Sequence, residues 1–201
     1  MLQYPSIPGI RNSQHHVGSE ITAQYKYDGS SLRWEWSPGR GWHKFGTRRQ
    51  LFDASTPLYN QAIEPFMNDM ADVIVERVLQ LDRKCQRITA FTEFFGDSSF
   101  AGSHDESESK QLKLLDVFLF KRGFLDVTEF YQLFQDQAWT PEIIYQGTLT
   151  EKFIDDVRNS IYPIVEGVIC RGAGFSLKIK TLAYLAKLKA VFADNWERYG
   201  E

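Results

Sequence analysis

Lys26-Tyr27-Asp28-Gly29-Ser30-Ser31 lies within an alternating run, Thr22 to Trp36, and places a lysine, a carboxylate and a glycine where strand character gives way to a bend. Residues i and i+2 of a strand share a face, so Lys26 and Asp28 are expected to point the same way. Asp-Gly is also a strong hairpin signal, and Lys-x-Asp suits any solvated strand, so the stretch by itself describes a turn as readily as a site.

The rest of the chain sets the bounds. It has 201 residues, 43% hydrophobic and 14% aromatic, enough for the core of one large domain. A net charge of -3 means that contact with nucleic acid must come from a local patch. Residues 30–50 supply one: Arg33, Arg40, Lys44, Arg48 and Arg49 against the single acid Glu35. Cys85 and Cys170 stand far apart, with no Cys-x-x-Cys and no histidines at ligand spacing, which indicates neither a disulfide framework nor a zinc site. With no leader pattern and no apolar run of spanning length, the chain reads as soluble, cytoplasmic and independent of membranes.

In order, residues 1–20 read as an extended lead-in carrying His15 and His16, and strands follow at 21–27, 31–36 and 42–46, predicted to form an antiparallel meander. Apolar residues Phe66, Met70, Ile74 and Val78 recur at helical steps, predicting a helix over 66–81 with a short one before Pro65. Residues 88–95 and 112–120 have strand character, the second interrupted by Asp116, a carboxylate that needs a partner if buried. The stretch between Gly96 and Lys110, with His104, has loop composition. Asp126 with Glu129 has capping-box spacing ahead of a helix over 127–137, and Thr150 opens another to 160. Strands at 163–170 and 176–180 flank a turn at Arg171-Gly172-Ala173-Gly174, and a helix over 181–199 follows.

Four short stretches fall on strands or strand ends in this order: Lys26-Tyr27-Asp28-Gly29, Glu93-Phe94-Phe95-Gly96, Glu166-Gly167-Val168 and Lys178-Ile179-Lys180, with Leu115-Asp116-Val117-Phe118 between the two glutamates. Together they resemble the motifs of the covalent nucleotidyltransferases, the polynucleotide ligases and capping enzymes that carry a nucleotide on a lysine. Within that superfamily the chain is most similar to the RNA ligase 2 branch. The resemblance covers nearly the whole chain and includes Thr47-Arg48-Arg49, Phe124-Leu125-Asp126 and Ile144-Tyr145-Gln146-Gly147. DNA ligases usually carry an arginine two residues past the motif glycine; Ser31 stands there here, which favours RNA.

The resemblance implies an α+β fold of antiparallel sheets with flanking helices, an ATP-grasp-like ligase adenylation domain with the nucleotide between the sheets. It implies Lys26 as the nucleophile that takes AMP from ATP, with Lys178 and Lys180 neutralising phosphate and favouring the neutral amine. Asp28, Gly29, Arg48, Arg49, Glu93 and Glu166 fall to the nucleotide, Glu166 and Glu93 also to Mg²⁺, and Arg33, Arg40 and Lys44 to the RNA or DNA strand end. Ligases commonly stack adenine on an aromatic just before the motif aspartate; Leu115 stands there, which leaves Phe118 as the candidate. Residues 1–201 are expected to form a single adenylyltransferase domain without the OB-fold or helical domain that relatives append, which leaves recognition of strand ends to a partner protein.

Overall fold

The alternation across Thr22 to Trp36 resolves into two strands that belong to different sheets. The structure is a computed structural model and describes residues 1–97, 108–193 and 196. Its strands are β1 (Glu20–Lys26), β2 (Ser30–Ser37), β3 (Gly41–Thr47), β4 (Leu51–Phe52), β5 (Ile88–Phe95), β6 (Gln111–Leu119), β7 (Gly123–Phe124), β8 (Ile143–Thr148), β9 (Gly167–Gly172) and β10 (Phe175–Lys180). The helices are α1 (Ile63–Pro65), α2 (Ala71–Leu81), α3 (Val127–Phe134), α4 (Glu151–Arg158) and α5 (Leu182–Phe192). All strand pairs are antiparallel, and the chain forms two compact units, Met1–Tyr4 with Gly29–Thr140 and Pro5–Asp28 with Pro141–Glu201.

The first unit holds a six-stranded sheet in the order β4-β3-β2-β5-β6-β7. One face, formed by Leu32, Trp34, Ile88, Ala90, Phe94, Leu114 and Val117, packs with Phe66, Ile74 and Val78 and with Phe130 and Phe134 of α3. Trp34 lies flat on Phe66, with centroids 4.0 Å apart and planes 3° apart. Between α1 and α2 the backbone widens into a π-helical turn, Phe66–Met70, directly after Pro65. Such a turn disturbs the regular carbonyl ladder. Around it, Trp139 Nε1 donates to the Asp69 carbonyl and Trp42 Nε1 to the Ala71 carbonyl, each at 3.1 Å.

The second unit holds a four-stranded sheet in the order β10-β9-β1-β8. Ile21, Ala23, Val168, Cys170, Leu177 and Ile179 share a core with Phe153, Ile154 and Val157 of α4. Alternation therefore leaves Thr22, Gln24, Lys26, Ile169, Arg171, Lys178 and Lys180 on the opposite face. The anticipated caps are present, Asp126 and Thr150 accepting the backbone N–H of Glu129 and Phe153 at the starts of α3 and α4, and Thr181 likewise accepts that of Tyr184 at the start of α5.

The three-strand meander is not observed. Only β2 and β3 form a hairpin, while β1 pairs with β8 and β9. Gly29 is not a hairpin tip: a Cβ there would sit 2.4 Å from the Phe94 carbonyl oxygen, so the residue is small because the chain passes against β5. Since β1 ends at Lys26, Asp28 lies outside the strand and the two do not share a strand face. Strand β8 was not anticipated, β9 starts at Gly167 rather than Pro163, and α3 stops at Phe134. Most of the loop with His104, and residues 194, 195 and 197–199 of the expected last helix, lie outside the described residues.

Candidate active site

Register brings the lysines together. Lys26 on β1 and Lys180 on β10 both pair with Gly167 on β9, so they flank a position without a side chain. Gly167 has φ +151°, and a Cβ there would lie 2.0 Å from the Ile179 carbonyl oxygen. Only glycine fits. The preceding Glu166 sends one carboxylate oxygen, Oε1, between the two amines, 2.8 Å from each Nζ. Glu166 and Lys180 are almost fully buried, whereas the Lys26 side chain retains 21% exposure.

Burial pushes the Lys180 pKa below the ordinary lysine value, and the neighbouring Lys26 charge acts the same way; Glu166 opposes both. Tyr184, on the first turn of α5, places its ring 4.8 Å from Lys180 Nζ. Thr181 supports the arrangement from below: its Oγ1 accepts from Tyr184 N and donates to the Val165 carbonyl at 2.8 Å, holding the residue beside Glu166. Asp28 is buried, and its charge acts on Lys180. One row further along, Lys178 is half-buried opposite Ile169, with its backbone N–H donated to Pro8 O at 2.9 Å.

Arg171 was read as part of a turn. It lies within β9, buried, on the face that carries Lys178 and Lys180. The signal missed was Cys170, whose core position fixes the parity of its neighbour.

The remaining candidates belong to the six-stranded unit. Glu93 lies on the sheet face opposite the core, across from Ser31 on β2 and Lys113 on β6. A one-residue bulge at Leu115 resets the alternation, so Asp116, opposite Phe91, and Phe118, opposite Thr89, fall on the same face as Glu93. Phe118 packs edge-on to Phe124 at 5.2 Å. Tyr4 joins this face, which no sequence pattern signals. Its ring lies 4.7 Å from Phe91, and its hydroxyl donates to Asp116 Oδ2 at 3.4 Å, the partner that a buried carboxylate in an apolar strand needed.

The basic stretch divides by environment. Arg33 is buried and donates to the carbonyls of Thr47, Met1 and Leu2, so its guanidinium is committed to backbone. Lys44 bonds Glu35 at 2.9 Å, and although burial opposes it, this contact holds the Glu35 pKa below the usual carboxylate value. Arg40, Arg48 and Arg49 are exposed, the last two on a turn closed by Thr47 N donating to Gln50 O at 2.8 Å.

Among the described residues no group of three or more His, Cys, Asp or Glu could hold a metal by itself. Glu166 Oε2 is nevertheless buried without a hydrogen-bond partner, a hard oxygen suited to a cation that takes its other ligands from phosphate and water. No helix among the described residues is long and apolar enough to cross a membrane.

No protein-family model and no curated protein matches the chain. Solved structures do. Naegleria gruberi RNA ligase with PPi aligns at TM-score 0.69 and 16% identity over 94% of this chain, and a mutant of that ligase with ATP and Mn at 0.69 and 17% over 92%. A further mutant with AMP and Mn aligns at 0.67 and 16% over 92%. The chain spans 58% of the length of these neighbours. At this identity the likeness establishes the fold, an α+β arrangement of the RNA ligase nucleotidyltransferase type.

Proposed function

We propose that the chain is the adenylyltransferase part of an ATP-dependent RNA ligase of the RNA ligase 2 kind. The observation that carries this reading is the Lys26–Glu166–Lys180 cluster, with one carboxylate oxygen 2.8 Å from both amines across a glycine that admits no side chain. It is supported by the fold shared with a ligase solved with ATP, AMP and PPi.

Lys26, once neutral, attacks the α-phosphorus of ATP; an N–P bond forms, the bond to the bridging oxygen breaks, and pyrophosphate leaves. AMP then passes to a polynucleotide 5′-phosphate, and a 3′-hydroxyl displaces AMP to seal the strand. Lys180 and Lys178 offset the charge that builds on the phosphate in each displacement. Glu166, whose Oε2 is free of hydrogen bonds, would hold Mg²⁺ or a similar cation, which supplies neutralisation of phosphate charge.

Glu93 is assigned the ribose hydroxyls or a second metal contact, Asp28 and Gly29 the approach to the nucleotide, Phe118 the stacking on adenine, and Arg48 and Arg49 the phosphates. Arg40 and Lys44 are assigned to the nucleic-acid strand; Arg33 supports them by tying down backbone. Recognition of strand ends is assigned to further structure or a partner protein. A reducing, cytoplasmic setting suits the two buried free thiols, Cys85 and Cys170.

The test is incubation with Mg²⁺ and α-labelled ATP, followed by denaturation, with Lys26→Ala alongside. Acid-labile label on the chain, absent from the variant, is the expected result. Absence of label with ATP, GTP and NAD⁺ alike would overturn the reading. A comparison of RNA-ended with DNA-ended nicks then decides the strand accepted, with RNA expected.

A further inference from the structure

We propose that one end of the six-stranded sheet, built from three stretches distant in sequence, is a docking surface for the phosphodiester backbone of the nucleic-acid strand. The inference rests on the ligase reading and adds to it a surface apart from the lysine cluster. Register defines that end. Trp36 of β2 pairs with Ile88 of β5, Ile88 with Leu119 of β6, and Leu119 with Gly123 of β7. The β2–β3 turn, the chain entering β5 and the β6–β7 turn therefore emerge side by side. They bring Arg40, then Arg83, Lys84 and Arg87, then Lys121 and Arg122.

All of these except the half-buried Arg87 are exposed, on a chain whose net charge is -3. The acids among them are partly occupied: Asp82 accepts the backbone N–H of Lys84, and Glu129 pairs with Arg122. Neighbouring strands are about 4.8 Å apart, so the three loops span roughly 10 Å, the reach of about three residues of a nucleic-acid strand at 3.4 Å per step.

The cations are organised as well as concentrated. Phe120, 38% exposed at the tip of the β6–β7 turn, has the Arg87 guanidinium 4.3 Å from its ring centroid and Lys121 Nζ at 5.7 Å. Its backbone N–H donates to Arg87 O at 3.0 Å, fastening one loop to the other. Lys121 has φ +71°, a left-handed conformation that a tight turn normally gives to glycine or asparagine. Of the exposed rings Phe120 and Phe124, the first is thus engaged by cations and the second packs edge-on to Phe118. A membrane surface would demand apolar anchors beside the charges, whereas guanidinium and ammonium groups held at fixed spacing match phosphates.

The experiment uses the full chain carrying Arg83→Gln, Lys84→Gln and Lys121→Gln together. Binding of a 5′-phosphorylated single-stranded RNA oligonucleotide is followed by fluorescence anisotropy across a salt series, beside labelling with α-labelled ATP. The expected result is unchanged lysine labelling, affinity at low salt reduced at least about tenfold, and a slope of log K against log salt shallower by about 2, as for three lost phosphate contacts. The charge-conserving set Arg83→Lys, Lys84→Arg and Lys121→Arg should retain wild-type binding. Unchanged affinity and slope in the glutamine variant would overturn the proposal, as would tighter binding of polyglutamate or anionic vesicles than of RNA. Loss of RNA binding in the variant from a parent that never labels would sink the ligase reading and leave this surface standing.

Discussion

In the six-stranded unit the buried face is rich in aromatic residues, with Trp34 stacked on Phe66 at 4.0 Å, whereas the four-stranded unit keeps a smaller, mostly aliphatic core on one face and gives the other to Lys26, Glu166 and Lys180. That aromatic face holds by packing, which is non-directional and carries no titrating group, while the unit's buried charges Arg33, Glu35 and Asp116 lie on the other face. The four-stranded unit spends part of its burial on charge, favourable only while each group keeps its partner. A unit of the second kind is less stable than its burial suggests and more responsive to a charged ligand.

The largest effect is expected in the aromatic core. Trp34→Ala should cost about 3–5 kcal/mol, since it opens a cavity beside Phe66 and removes the donor to Thr92 Oγ1, 2.9 Å away and buried. Denaturant unfolding measures it, and the loss should not change with salt. Glu166→Ala is expected to cost about 2–3 kcal/mol, below the full value for a broken buried pair because Lys26 is partly exposed. Its cost should fall when phosphate or sulfate is added to sit between the two ammonium groups. A salt-insensitive loss would mean that Glu166 acts by packing alone and would erase the contrast between the units.

This contrast was only partly legible in the sequence. Strand β5 covers the expected 88–95, buried on both faces over its first five residues, and α2 covers the later part of the expected 66–81 with Ile74 and Val78 on its buried face. The Lys178 and Lys180 pair could be placed on one face by parity, since Leu177 and Ile179 are plainly core residues. Partner choice was not legible. Nothing local to β1 says that it joins β8 and β9, and the break in its register between Ala23 and Gln24 leaves no residue signature. The bulge at Leu115 moves Asp116 and Phe118 onto the Glu93 face, which simple alternation cannot foresee. Glu166 was expected within a strand over 163–170; it lies just before β9, and its carboxylate is the centre of the cluster. The cations at the end of the six-stranded sheet come from three stretches, so a window along the chain sees only Arg40 and its neighbours.

A smaller change sharpens the comparison from the side of geometry. Thr181→Ala should cost about 1–2 kcal/mol, through loss of the cap on α5 and of the bond to the Val165 carbonyl. Thr181→Ser should restore most of it. If Glu166 is positioned through this contact, the alanine variant should also slow formation of the labelled lysine while the serine variant does not. Equal labelling in both would confine Thr181 to stability.

The smallest effect at neutral pH is also the most specific to the four-stranded unit. Burial holds the Tyr27 phenol up to about 12, above the ordinary tyrosine value of about 10. A raised acid favours its protonated form in the folded state, so its contribution is present in full below about pH 10 and is lost as pH rises through about 12. Tyr27→Phe has no proton to lose. Thermal unfolding of the two proteins should give a constant difference up to about pH 10, above which the parent falls faster than the variant. Curves that stay parallel to pH 12 would place Tyr27 in contact with solvent. A Trp34 variant, which loses packing and a neutral hydrogen bond but no titrating group, should shift the whole pH profile down without altering its shape, and a change of shape there would sink the contrast.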